Sequence, residues 1–146
     1  MATIGKHDWL VEQGDRWVVP LQGKMVTRYF VDSAFGIELW ESDNTTTIRI
    51  EGPFVLQEQG AAQRLSPEQP KTLGSALSIM GKTVTSVNVY KDGCLAVHFA
   101  DGSSLSVAPD AAYEAWEVVS SRGLRVVCTP GGNLSIWRPA SASNRP

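Results

Sequence analysis

The sequence predicts a mainly β fold with duplicated three-stranded antiparallel meanders, a third meander near the C-terminal end, and one short helix. Three observations support this prediction. Apolar residues alternate along short segments, Gly, Asp and Asn separate those segments, and the pattern returns at a fixed interval. The motif Gly-Lys-x-Val-Thr at 23–27 recurs at 81–85, an offset of 58 (81 − 23). A sandwich and a partly open barrel both bury alternate residues, so the pattern leaves these two architectures open.

The first copy of the repeat spans residues 23–54 and follows a polar segment. We expect residues 1–15 to be flexible and Trp17–Val19 to form a short strand that Pro20 ends. β-branched residues, which strands prefer, dominate the copy. Its predicted strands are Val26–Val31, Ile37–Glu41 and Thr46–Glu51.

A loop and a short helix separate the two copies. Residues 57–72 are rich in Gln, Pro, Ser and Gly, which predicts a loop. The segment 72–80 predicts a helix that ends at Gly81. Its apolar stripe, at positions i, i+3, i+4 and i+7, consists of Leu73, Ala76, Leu77 and Met80.

The second copy spans residues 81–110 and repeats the meander with Asp-Gly turns, which are typical of hairpins. Its predicted strands are Val84–Tyr90, Cys94–Phe99 and Leu105–Ala108. Six apolar positions match between the copies. The pairs are Tyr29 with Val87, Val31 with Val89, Ile37 with Leu95, Leu39 with Val97, Ile48 with Leu105, and Ile50 with Val107. We therefore predict that both meanders bury these faces against a shared core.

The third meander completes a single domain over residues 16–138. The segment 109–113 predicts a helical turn before it. The predicted strands are Trp116–Val119, Leu124–Cys128 and Leu134–Trp137. Residues 139–146 have the composition of a disordered tail.

Composition and charge argue against several classes of function. The net charge is −2 and the pI is about 5.6, whereas a nucleic-acid-binding domain has a basic stripe and a pI above about 9. No segment approaches the roughly 18 apolar residues of a membrane span, so we expect neither nucleic acid nor a membrane as partner. The first residues lack the apolar region of a secretory signal, which predicts a cytoplasmic protein with Cys94 and Cys128 as reduced core residues.

Three motifs stand in the C-terminal part: Tyr-Glu-x-Trp-Glu at 113–117, Arg-Val-Val at 125–127, and Pro-Gly-Gly at 130–132, followed by a terminal Trp137. In these motifs the chain resembles a family of small, functionally uncharacterised domains common in actinobacteria. The resemblance covers residues 20–138. It implies a bacterial, intracellular protein and no particular activity.

The densest group of residues capable of chemistry is Tyr113, Glu114, Trp116 and Glu117. One interpretation makes Glu114 and Glu117 paired carboxylates beside aromatic walls, suited to a general acid or to a cationic ligand. The other places Trp116 in the core and Glu117 in solvent, and we favour it because acid–base pairs must converge in space. The two histidines lack Cys or carboxylate partners at ligand spacing, so the sequence predicts neither a metal nor a cofactor.

The predicted function is a non-enzymatic protein-interaction or regulatory module, similar in size and charge to the immunity partners of bacterial toxins. Exposed aromatic residues on a small acidic domain are typical of partner sites, and an open sheet edge also suits a homodimer. The candidate interaction surface consists of Trp40, His98, Tyr113, Glu114, Glu117 and Trp137. The alternative is a small-molecule-binding enzyme that uses Glu114, Glu117 or His98 in a pocket between the sheets.

Overall fold

A computed structural model describes residues 10–138, which form thirteen strands and one 3₁₀ helix. The predicted mainly β class is confirmed. The strands are β1 (Val11–Gln13), β2 (Arg16–Val19), β3 (Met25–Val31), β4 (Phe35–Glu41), β5 (Asn44–Ile50), β6 (Phe54–Glu58), β7 (Ala61–Leu65), β8 (Val84–Tyr90), β9 (Leu95–Phe99), β10 (Ser104–Val107), β11 (Trp116–Ser120), β12 (Arg125–Cys128) and β13 (Leu134–Trp137). The 3₁₀ helix spans Pro70–Ile79, between β7 and β8.

The strands form two antiparallel sheets in a sandwich-like arrangement that is not closed into a barrel. The seven-stranded sheet has the order β1-β2-β8-β9-β10-β6-β7, and the six-stranded sheet has the order β13-β12-β11-β5-β4-β3. The apolar residues of both inner faces form one continuous core, as expected for two packed sheets. The largest fully buried side chains are Trp116, Phe35 and Phe54.

The two predicted meanders lie in different sheets. The strands that follow each meander in the chain join the sheet of the other meander. Strands β3–β5 belong to the six-stranded sheet, and β8–β10 belong to the seven-stranded sheet. After β5 the chain crosses to the opposite sheet, where β6 pairs with β10. After β10 it crosses back, and β11 pairs with β5. The two halves of the chain are therefore interlocked.

The two Gly-Lys-x-Val motifs bind each other at the corner where the sheets meet. The N–H of Gly23 donates to the carbonyl of Val84 at 2.8 Å, and the N–H of Gly81 donates to the carbonyl of Val26 at 2.9 Å. The valine N–H groups in turn donate to the lysine carbonyls of the opposite motif, at 2.7 and 2.9 Å. Each hydrogen bond from the first motif to the second is therefore matched by one from the second motif to the first. Two segments related by an approximate two-fold axis would show this reciprocal pattern.

Strand pairing shows how the two meanders correspond. Both first hairpins have a register shift near their start, at positions 58 residues apart (84 − 26). Tyr29 then pairs with Ile37, and Val87 pairs with Val97. The second strands therefore correspond at an offset of 60 (97 − 37), so the predicted matches of Ile37 with Leu95 and of Leu39 with Val97 are each wrong by two residues.

With this correspondence, the inner faces are buried at matching positions in both halves. The buried pairs are Leu21 and Ile79, Val26 and Val84, Phe35 and Leu95, Ile37 and Val97, Leu39 and Phe99, Ile48 and Leu105, Ile50 and Val107, Phe54 and Trp116, Leu56 and Val118, and Leu65 and Cys128. The internal repeat stays a prediction, and these matched positions support it.

Strand β3 departs from the predicted burial. Tyr29 is half-buried and Val31 is 47% exposed, whereas Val87 and Val89 on β8 are buried. The reason is the position of each strand in its sheet. Strand β2 flanks β8, but β3 is the edge of the six-stranded sheet.

The segment predicted to be flexible extends into the described residues. Leu10 is buried, and Val11–Gln13 form β1 against β2, so the flexible interpretation does not hold for these residues. Residues 1–9, with His7, and the predicted tail at 139–146 lie outside the described residues.

The loop predicted over 57–72 is wrong in its first part. Strands β6 and β7 form a hairpin there. Its two turn residues, Gln59 and Gly60, have φ values of 51° and 80°, as the turns favoured in two-residue hairpins require.

The predicted helix exists, but it is a 3₁₀ helix with a different buried stripe. Its buried residues are Leu73, Ala76 and Ile79, spaced by three because a 3₁₀ helix has three residues per turn. Leu77 and Met80, which belong to the predicted stripe, are exposed. The helical turn predicted at 109–113 is instead an irregular bend.

Candidate functional site

The outer face of the six-stranded sheet carries long charged and aromatic side chains in rows across the strands. One row crosses all six strands and consists of Arg28, Glu38, Thr47, Val119, Arg125 and Trp137. Neighbouring rows add Met25, Trp40, Arg49 and Glu117. Successive residues of a strand point to opposite sides of a sheet, so these side chains point away from the core. We call this surface the Trp/Arg face, defined by Met25, Arg28, Glu38, Trp40, Arg49, Glu117, Arg125 and Trp137.

Two arginines of the Trp/Arg face, Arg28 and Arg125, are more exposed than the carboxylates that pair with them. Arg28 lies 3.3 Å from Glu38, and Arg125 lies 3.2 Å from Glu117. The side chains of Arg28 and Arg125 are 64% and 49% exposed, whereas both glutamates are 24% exposed. Arg28 and Arg125 therefore present positive charge to solvent, although the whole chain has a net charge of −2. At Arg49 the order is reversed, because Arg49 is 26% exposed and its partners Asp32 and Glu51 are 55% and 38% exposed.

Arg49 is held in place by two carboxylates beside this face. Its two terminal nitrogens donate to Asp32 at 3.1 Å, and its Nε donates to Glu51 at 2.7 Å. These hydrogen bonds raise the pKa of Arg49 and, with the N–H of Ala34, lower the pKa of Asp32. The bidentate contact with Asp32 fixes the plane of the guanidinium group. Arg49 is therefore a rigid part of the face.

Two tryptophans of the Trp/Arg face are half exposed. Trp40 is 56% exposed and pairs with Met25, itself 48% exposed, on the adjacent strand. Trp137 is 52% exposed, and the guanidinium carbon of Arg125 lies 5.2 Å from its ring centroid. Trp and Arg are the residue types most enriched at binding hot spots.

The outer face of the seven-stranded sheet carries neither arginine nor tryptophan at the corresponding positions. Its matching row consists of Ser86, His98, Ser104, Gln57 and Ala62. By register, these are the counterparts of Arg28, Glu38, Thr47, Val119 and Arg125. The two sheets thus have matching inner faces and different outer faces.

The structure separates the residues predicted to form one interaction surface. Trp40, Glu117 and Trp137 share the Trp/Arg face, whereas His98 is exposed on the outer face of the opposite sheet. Trp116 is fully buried, and its Nε1 donates to the carbonyl of Gly93 at 2.9 Å. The predicted surface did not include Met25, Arg28, Glu38, Arg49 and Arg125. Strand alternation places each of them on an outer face, but only the strand order shows that they lie together.

Tyr113 and Glu114 line a cleft at the end of the sandwich where the chain crosses between the sheets. Its volume is about 650 Å³, within the range of roughly 300–1,000 Å³ typical of small-molecule sites. The other lining residues are Ser33, Glu51, Gly52, Pro53, Glu68, Asp110 and Ala115. Glu117 and His98 do not belong to this lining, so the structure does not bring them together with Glu114 in the cleft.

Within residues 10–138, no three side chains of His, Cys, Asp or Glu lie close enough together to hold a metal ion. Cys94 and Cys128 are free thiols, and burial raises the pKa of each. Across the same stretch, none of the helices has the length and apolar character needed to cross a membrane.

A comparison with protein families gives one match. The model of a family of unknown function, DUF6188, matches residues 17–138. No curated protein and no solved structure matches the chain. The match agrees with the expectation of an uncharacterised domain family and supplies no activity.

Proposed function

The chain belongs to the DUF6188 family of unknown function, and we propose that it is a non-enzymatic interaction module that binds an acidic partner protein through the Trp/Arg face. One observation carries the proposal. The two halves have matching cores, yet the positions of Trp40, Arg28 and Arg125 on one outer face are occupied by Ala100, Ser86 and Ala62 in the other half.

Folding does not explain the exposed aromatic residues on the Trp/Arg face. Burial of a large apolar side chain contributes about 1.5–3 kcal/mol, and Trp40 and Trp137 forgo about half of their burial. The position corresponding to Trp40 is Ala100 (40 + 60), so the strand tolerates a small residue there. A partner surface would supply the missing burial.

The charge of the Trp/Arg face indicates the chemistry of the partner. Arg28 and Arg125 are directed to solvent, and Glu38 and Glu117 are more shielded. An arginine binds a carboxylate through two parallel hydrogen bonds. An acidic surface with apolar pockets would therefore complement both the guanidinium groups and the indole rings.

Affinity capture with matched variants tests the proposal. The wild-type chain, a Trp/Arg-face variant (Trp40→Ala with Trp137→Ala) and an opposite-face control (Ser86→Ala with His98→Ala) are immobilised and exposed to lysate of the native host. We expect an acidic protein to bind the wild type and the control in defined stoichiometry, and to be lost from the Trp/Arg-face variant.

Two results would contradict the proposal: no protein captured by the wild type, or equal capture by both variants. Circular dichroism establishes that each variant is folded. Trp40 and Trp137 are about half buried, so each alanine substitution there should cost about 1 kcal/mol. The substitutions at Ser86 and His98, on the other outer face, should change stability by less than about 0.5 kcal/mol.

The second candidate is a small-molecule-binding enzyme, favoured by the volume of the cleft and by the position of Glu114 in its wall. A screen of small molecules by thermal shift, repeated with Glu114→Gln, tests it. A compound that stabilises the wild type and not the variant would favour this candidate, whereas equal shifts for both would dismiss it.

A further inference from the structure

At β13 the six-stranded sheet has an edge with no neighbouring strand within residues 10–138. The strand is short, and Arg138 follows it directly. Its four residues, Leu134–Trp137, include no charged residue, no proline and no bulge. Unpaired backbone groups at an edge pair readily with other strands, so natural proteins usually block them. The other edges are blocked: Glu12 on β1 pairs with Lys91, β3 carries a register shift and Arg28, and β7 packs against the 3₁₀ helix.

The backbone groups of alternate β13 residues face this free edge. At the start of the β12–β13 pair, the N–H of Thr129 donates to the carbonyl of Asn133 at 2.8 Å. Hydrogen-bonded and non-hydrogen-bonded pairs alternate along antiparallel strands. Ser135 therefore bonds to β12, and the N–H and C=O groups of Leu134 and Ile136 point outward.

Both faces of this edge also present apolar surface. Leu134 and Ile136 pack against the core from the inner face but are only half-buried. Trp137 is 52% exposed on the outer face. A further strand at this edge would cover Leu134 and Ile136, and it would leave the outer face of Trp137 to the Trp/Arg face.

We propose that a second copy of this chain pairs with β13 through its own β13, in antiparallel orientation centred on Ser135. In this register Leu134 lies opposite Ile136 of the second copy, so apolar residues meet on the inner face. The outward backbone groups would form about four hydrogen bonds. The strand carries no charge, so no like charges oppose each other. Pairing joins two six-stranded sheets into one and does not rest on the proposed function.

Sedimentation of the full chain, at concentrations up to about 1 mM because the interface is small, tests this pairing. We expect a reversible dimer. The Ile136→Pro variant removes an N–H that faces the edge, and proline is tolerated there because that N–H has no partner within the sheet. The matched control, Ile136→Ala, keeps the N–H. We expect the proline variant to dimerise about 10- to 100-fold more weakly than the alanine variant.

Amide hydrogen exchange of the wild type gives a second measurement that needs no variant. The amides of Leu134 and Ile136 should gain protection as concentration rises, and that of Ser135 should be protected throughout. A monomer at every concentration, equal dimerisation of the two variants, or concentration-independent exchange at Leu134 and Ile136 would each overturn the proposal.

Discussion

The two meanders, β3–β5 and β8–β10, agree in their interiors and differ on their outer surfaces. The agreement extends to polar detail. The side chain of Asp32 accepts the N–H of Ala34 at 2.8 Å, and that of Asp92 accepts the N–H of Cys94 at 3.0 Å. Outside, one half carries Trp and Arg where the other carries Ala and Ser.

This difference separates what the fold requires from what it merely permits. An inner face must fill a close-packed core, so both halves use apolar residues there. An outer face has no such packing constraint. We propose that the Trp/Arg face serves binding rather than folding, and substitutions in the core and on this face separate the two roles.

The largest expected effects are at Trp116 and Phe54, which occupy matching positions after the two crossovers. Both are fully buried, and Phe54 stacks on Phe35 with ring centroids 5.4 Å apart. Replacing either with Ala should lower the free energy of unfolding by about 3–5 kcal/mol, measured by urea denaturation. If an alanine variant does not fold, Trp116→Phe and Phe54→Leu give smaller losses. A similar loss for Trp40→Ala would contradict the division between core and face.

The second prediction compares the stability cost of an alanine substitution at two corresponding turn positions, Gly93 and Ser33. Gly93 has a φ of +100°, and a Cβ there would lie 2.7 Å from the backbone of Gly132. Gly93→Ala should therefore cost about 1–3 kcal/mol, whereas Ser33→Ala should stay within about 0.5 kcal/mol. Thermal denaturation of both variants checks this. Equal midpoints would show that position 93 tolerates a Cβ as well as position 33 does.

A third prediction compares the lysines of the two repeated motifs. Lys82 contacts Glu58 at 2.8 Å, Asp101 at 2.9 Å and the hydroxyl of Ser103 at 3.0 Å, and its side chain is 17% exposed. Lys24 pairs at 3.2 Å with Glu41 and is 31% exposed.

Lys82→Met should cost about 1.5–3 kcal/mol, and Lys24→Met should cost at most about 1 kcal/mol. The free energies of unfolding at neutral pH measure both. The reverse order would mean that the network around Lys82 contributes little to stability.

The smallest effect concerns pH. Hydrogen bonds from Ser103, and then the contact with Lys82, lower the pKa of Asp101 below its ordinary value of 3.8. The folded state therefore favours the carboxylate, whose contribution is complete above that ordinary value and is lost as the pH falls through the lower folded value. We expect the stability of the wild type to fall more steeply below about pH 4 than that of Asp101→Asn. The free energy of unfolding of both proteins is measured as the pH is lowered. Curves with the same slope below about pH 4 would exclude this role for Asp101.

Alternation in the sequence predicted most strands, but it could not settle how the two meanders align. Offsets of 58 and 60 are both even, so both keep apolar residues on the same face. The true offset depends on turn length. The turn Asp32–Ala34 has three residues, and the turn Tyr90–Cys94 has five.

Solvent exposure explains why one strand, β7, was not predicted from the sequence. Strand β7 is exposed at Ala61, Ala62, Gln63 and Arg64, so it shows no apolar alternation and was predicted as part of a loop. The candidate surface was only partly predictable for another reason. Trp40 and Trp137 share a face because β11 pairs with β5, a contact between distant segments that no local pattern encodes.

The most direct test of the Trp/Arg face is a calorimetric titration with the purified captured partner. Each hot-spot tryptophan should contribute at least about 2 kcal/mol, or roughly 30-fold in Kd. Trp40→Ala with Trp137→Ala should therefore weaken binding by at least that factor, and binding by the wild type should weaken as salt is added. Ser86→Ala with His98→Ala should leave Kd unchanged. Equal affinity for both double variants would contradict the account.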